Sequence, residues 1–102
     1  MARATLNWDL PTERENGAAL PPENISHTEI SMSADAGDNF SPPANVASDV
    51  TQEFIVDDLA PGDYLFRAVV VDAGLRRSDS VEIVGSVLTP PLGVQNFEVT
   101  IE

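Results

Sequence analysis

A chain of 102 residues with 42% hydrophobic side chains has the size and apolar content of one small globular domain rather than of a disordered segment. Its formal net charge of −12, with five arginines and no lysine, repels phosphate backbones and argues against direct nucleic-acid binding. It has no cysteine, which excludes disulfides and thiolate metal sites, and no apolar run near the ~20 residues that cross a bilayer.

The N-terminal residues enter a strand-like pattern at once, so no secretion signal is expected in this sequence. Arg3 to Leu10 alternates, with Ala4, Leu6 and Trp8 opposed to Thr5, Asn7 and Asp9, and Pro11 closes the strand. Thr12 to Asn24 is a polar connection with an Asn16-Gly17 turn and a Pro21-Pro22 stop, long for a hairpin loop. A second strand is predicted over residues 25–32, with Ile25, His27, Glu29 and Ser31 opposed to Ser26, Thr28, Ile30 and Met32. Ala34 to Asn39 reads as a turn and Phe40 as an inward anchor. Pro42-Pro43 marks an edge that cannot continue a ladder. Val50 to Val56 predicts another strand, with Val50, Phe54 and Val56 in one register and Ile55 in the other.

The stretch from Leu59 to Asp72 organises the chain. Pro61-Gly62 punctuates the backbone, and the residues from Tyr64 to Val71 are mostly aromatic, β-branched or small. A strand apolar on nearly both faces belongs in the middle of a covered sheet. Ala73 to Ser78 then forms a loop and Ser80 to Leu88 a strand. Thr89 to Gly93 interrupts, and from Val94 onward Phe97, Val99 and Ile101 alternate with Glu98, Thr100 and Glu102. No helical period of useful length occurs, so the expectation is an all-β antiparallel sandwich. Its core is predicted from Leu6, Trp8, Ile30, Phe54, Leu59, Tyr64 and Phe66.

The order Leu59-x-Pro61-Gly62-x-Tyr64-x-Phe66 resembles the E–F corner and strand F of a fibronectin type III domain. In that family the tyrosine hydroxyl meets backbone upstream. Leu6-x-Trp8-x-x-Pro11 resembles strand B, and Asn16 to Leu20 resembles the Asp-Gly-x-x-Leu of an extended B–C loop in bacterial and phage members. Thr28 departs from the pattern, standing near where the family often carries tyrosine. Pro90 to Val99 looks like the linker and strand A that begin the next domain of a tandem array. The resemblance implies a fibronectin type III-like antiparallel β-sandwich with strand A displaced to the C-terminus. Residues 1–88 would carry strands B to G, 89–93 a Pro-rich linker, and 94–102 the strand resembling A.

Little in the chain suggests catalysis. With one histidine and no cysteine, a nucleophilic triad would have to use His27, which sits in a predicted strand rather than a strained elbow. Asp57, Asp58, Asp63 and Asp72 lack the Asp-x-Asp-x-Asp-Gly spacing of a calcium loop and read as a solvated rim. No catalytic residue, cofactor or metal site is expected. Arg76-Arg77 is the only adjacent cationic pair; it is either a solvated turn or a dock for a carboxylate-rich protein through bidentate contacts. The Arg-Gly-Asp tripeptide found in one fibronectin module is absent.

These readings converge on a non-catalytic structural or interaction module, with protein partners and no membrane or nucleic acid. By resemblance it looks like a phage virion accessory protein, a tail, fibre or capsid-decorating component. The alternative is an extracellular spacer or carbohydrate-associated module from a secreted bacterial enzyme or adhesin. One steric point bears on partners. A strand of eight residues covers ~26 Å, whereas the linker from Thr89 to Gly93 reaches at most ~17 Å. Residues 94–101, carrying Val94, Phe97, Val99 and Ile101, are therefore not expected to fill the chain's own A position. They would either fold back beside strand G or, the preferred reading, insert into a neighbouring copy to build a ring or filament.

Overall fold

Strict alternation at the start of the chain produces β1 (Ala2–Asn7), in which Ala2, Ala4 and Leu6 turn inward and Arg3, Thr5 and Asn7 outward. The remaining strands are β2 (Ile25–Ser33), β3 (Ala44–Ala47), β4 (Glu53–Leu59), β5 (Gly62–Asp72) and β6 (Val81–Val87). This computed structural model describes residues 2–101. The strands form two antiparallel sheets, β1–β4 and β3–β2–β5–β6, packed as an all-β sandwich. Among the described residues there is no α-helix, only a single 3-10 turn at Pro22–Asn24 behind the Pro21-Pro22 stop.

The eleven residues of β5 lie between β2 and β6, as their apolar character on both faces requires. The corner ahead of β5 is tied by the Tyr64 hydroxyl, which donates to the Ala60 carbonyl at 2.7 Å. Phe66, Ile30 and Leu59 are buried, whereas Leu6, Trp8, Phe54 and Tyr64 are half-buried. Trp8 lies just beyond β1, its indole N–H donating to Gln52 Oε1 at 3.0 Å.

Two irregularities redirect side chains that simple alternation misplaces. Asp58 adopts a positive φ of 59° where the β1–β4 register shifts. The bulge lets Leu59 follow Val56 onto the inner face although the two are three residues apart. In β2 the shift between Ile25 and His27 likewise buries Ile25 together with Thr28 and Ile30, not with His27 and Glu29. Other expectations change at element ends. The first strand stops at Asn7 rather than Leu10, and Val50 lies exposed ahead of β4. Phe40 is half-buried beneath the Arg67 guanidinium, 3.7 Å from its ring centroid. Arg67 and the buried Phe66 alternate along β5, so Phe40 packs on the outer face of the larger sheet.

Thr28 is fully buried on the inner face, and its hydroxyl has no hydrogen-bond partner among the described residues. A buried, unsatisfied hydroxyl costs about 1–3 kcal/mol, and an apolar group of the same shape removes that penalty. Thr28→Val is expected to raise the unfolding free energy by about 1 kcal/mol, read as a higher denaturant midpoint at unchanged slope.

Candidate interaction surfaces

At one pole the loop after β1 and the loop after β5 meet around Asp72. The first is folded on itself: Gly17, at a φ of 85°, donates to the Arg14 carbonyl at 2.8 Å, and Leu20 donates to Thr12 at 2.9 Å. That short ladder presents Arg14, whose Nη1 donates to Asp72 Oδ2 at 2.9 Å. The other oxygen, Oδ1, accepts the backbone N–H groups of Gly74 at 2.9 Å and Arg76 at 2.8 Å, while Arg76 Nη1 reaches Oδ2 at 3.3 Å. The Arg76 backbone N–H, followed by the Arg14 side chain, holds the Asp72 carboxyl down from its ordinary 3.8 to about 2.

Arg76 and Arg77 therefore do not act as a pair. Arg76 turns back onto Asp72, and Arg77 crosses to Glu29, donating from Nε at 3.1 Å and Nη2 at 3.2 Å. The Arg77 fork lowers the Glu29 carboxyl below its usual range and raises the guanidinium in return. A groove of about 720 Å³ opens beside these residues, between Pro11, Glu13, Leu20, Val70 and Ser78. Its cations are already matched by carboxylates of the same chain, so the pole is chiefly an internally satisfied clasp between loops.

A second polar knot closes the turn after β2. Asp35 accepts from the Ser33 hydroxyl at 2.6 Å, the Asn39 side-chain amide at 2.8 Å and the Asn39 backbone N–H at 2.9 Å. These donors lower its pKa from 3.8 to about 2. Asp35 and Asp72 both bind protons less readily when folded, so what they add to stability is complete above about pH 4 and lost as pH falls toward 2. An acid titration followed by near-UV circular dichroism is expected to show the wild-type chain losing stability across that window, with Asp35→Asn and Asp72→Asn each flattening part of it.

His27 lies in β2 with Nδ1 2.8 Å from the Ser26 hydroxyl and Nε2 3.7 Å from Glu29 Oε2. These are near neighbours along one strand, and the Glu29 carboxylate is occupied by the Arg77 fork. Among the described residues no group of three His, Cys, Asp or Glu side chains is placed to hold a metal ion, and no helix is long and apolar enough to cross a membrane.

The apolar surface is concentrated elsewhere. Val94, Phe97, Val99 and Ile101 all lie exposed, in an extended segment that pairs with no strand among the described residues. Glu102, the last residue of the expected C-terminal strand, lies outside the described residues. Asn96 breaks the segment with a φ of 53°, after which Phe97, Val99 and Ile101 alternate with polar residues. The molecule's long axis is 79 Å, whereas the longest strand covers ~36 Å, and the extended residues 88–101 account for the remainder.

Sequence reasoning found this segment but missed its complement on β6. Ile83 lies opposite the buried Phe66 and Val81 opposite Ala68, which places both on the inner face of the larger sheet. Yet Ile83 is 65% and Val81 71% exposed. The only sequence signal was that Val81, Ile83 and Val84 make this strand apolar on both faces. No family model, curated protein or solved structure matches the chain.

Proposed function

We propose that this chain is a non-catalytic structural or interaction module of the fibronectin type III kind. The observation that carries the reading is the partition of strands between sheets. With β1 as strand B, β2 as C, β4 as E, β5 as F and β6 as G, strands B and E share one sheet and C, F and G the other, as in Ig-like sandwiches. The Tyr64–Ala60 hydrogen bond at the corner before β5 supports the same assignment. What the surface offers is apolar strand edge and tail, which suits contact with protein.

Within that class a phage virion accessory, in the tail, a fibre or the capsid decoration, is the preferred role, and the acidic, lysine-free composition suits display on a particle. The second reading, an extracellular spacer or carbohydrate-associated module, is favoured by Pro90-Pro91, which has the character of an interdomain linker. Quantitative mass spectrometry of purified particles from the source of the gene is expected to recover the chain at fixed stoichiometry. Recovery solely within a longer secreted polypeptide would select the spacer instead. Hydrolysis of ester or glycoside substrates that disappears in His27→Ala would overturn the non-catalytic assignment.

A further inference from the structure

We propose that residues 94–101 of one chain add as a strand to the free edge of β1 in a second copy, covering the inner face of that copy's β6. The inference deepens the module reading above and rests on it. Three observations meet at the acceptor. First, among the described residues β1 has a strand neighbour on one side only, β4. Second, β4 lies over the β2–β3 side of the larger sheet: Phe54 and Val56 share a cleft of about 220 Å³ with Ile30, Met32 and Ala44. The free edge of β1 therefore faces the β6 side. Third, that side is bare, with Val81 and Ile83 on the inner face and open to solvent. Two strands cannot roof four, since neighbouring strands are ~4.8 Å apart. A strand hydrogen-bonded to β1 would lie over β6, close the edge and bury both side chains.

The donor has the matching pattern. Phe97, Val99 and Ile101 form one apolar face and Glu98 and Thr100 the other, a half-buried strand without its sheet. If it pairs antiparallel, as every ladder between the named strands does, its direction selects the second copy as occupant. Val87, at the end of β6, lies opposite Gly62, and Ala2, at the start of β1, lies opposite Leu59, so both sit at the pole of the β4–β5 corner. A strand antiparallel to β1 must start at the other pole, by Asn7. To enter its own slot that way, the chain would run back along β1 and reverse twice within residues 88–93, two of which are prolines. Each reversal takes about two residues, which leaves too few for the ~20 Å length of β1. A neighbour stacked beyond the corner pole presents the Asn7 end of its β1 to the outgoing tail directly. The contact is heterologous and repeats head to tail, which gives a filament with an axial repeat of roughly 40 Å, little more than the ~36 Å length of β5.

Sedimentation velocity on the full chain, from micromolar to millimolar, tests this. Species several times the 10.9 kDa chain mass are expected, growing with concentration. They should also grow as salt rises from 0.01 to 0.15 M, because copies of charge −12 repel and the screening length falls from ~30 to ~8 Å. Phe97→Glu/Val99→Glu is expected to be a folded monomer, since those side chains touch nothing in their own sandwich and are over 80% exposed. In the cysteine-free background, oxidation of Thr5→Cys/Glu98→Cys should link chains into a ladder. The proposal is overturned by a wild-type monomer at every concentration, by equal assembly of the double-Glu variant, or by a disulfide closed within one chain. A wild-type monomer that is nonetheless found at fixed stoichiometry in particles would leave the module reading standing and remove only the donated strand.

Discussion

Phe66→Ala is expected to lower the unfolding free energy by about 3–5 kcal/mol, enough to leave a domain of this size marginal or unfolded. Phe66 is the one aromatic ring that is fully committed to the core, at 5% exposure. Its inner-face neighbours include Ile30, Phe54 and Val56, drawn from both sheets. Removing the ring leaves a cavity that the strands cannot collapse into, since their backbones are fixed by ladders on both sides of β5. The ring also explains Gly85: a Cβ there would stand 3.2 Å from Phe66 Cε2. Gly85→Ala should therefore destabilise modestly in the wild type and less in the Phe66→Leu background. Equilibrium denaturation of the wild type, the three single variants and the Phe66→Leu/Gly85→Ala chain checks both statements, and a Phe66→Ala loss under 1 kcal/mol would show that the sheets do not close on this ring.

Trp8→Ala is expected to cost about 2–4 kcal/mol, through a different mechanism. The indole is half-buried, so less apolar transfer is lost than for Phe66. The hydrogen bond to Gln52 adds to the loss. Gln52 uses its amide nitrogen on the Ala47 carbonyl at 2.9 Å and the Val50 carbonyl at 2.6 Å, and its oxygen on Trp8. Trp8 thereby fastens the end of β1 to the turn that precedes β4. Trp8→Phe retains most of the apolar area and removes the donor, and it should recover more than half of the loss. If Trp8→Phe is no better than Trp8→Ala in urea unfolding, the hydrogen bond rather than the ring dominates.

Both substitutions act in a core that is open on one side. Among the described residues, the buried apolar ones are Leu20, Ile25, Ile30, Val46, Leu59, Phe66 and Val71, none of them from β6. A domain in this condition gains stability from anything that binds its folded form, so its melting temperature is expected to rise with protein concentration if copies complete one another.

Much of the architecture was legible in the residues themselves. The alternation of Ala4, Leu6 and Trp8, the apolar run from Tyr64 to Val71 and the Pro61-Gly62 corner act over a few residues, and local sterics and the two-residue strand period determine them. The Asn16-Gly17 turn and the free apolar face of residues 97–101 are local in the same sense. The tertiary structure decided what depends on partners distant in sequence. The bulges at Asp58 and between Ile25 and His27 arise from pairing with β1 and β5, and they move Leu59 and Ile25 onto faces that counting cannot assign. Arg76 and Arg77 are adjacent in the chain, but Asp72 and Glu29 draw them apart. The bare inner face of β6 is marked in the residues only by apolar side chains on both faces of that strand. It follows from two strands lying over four, a mismatch that exists only once the sheets have formed.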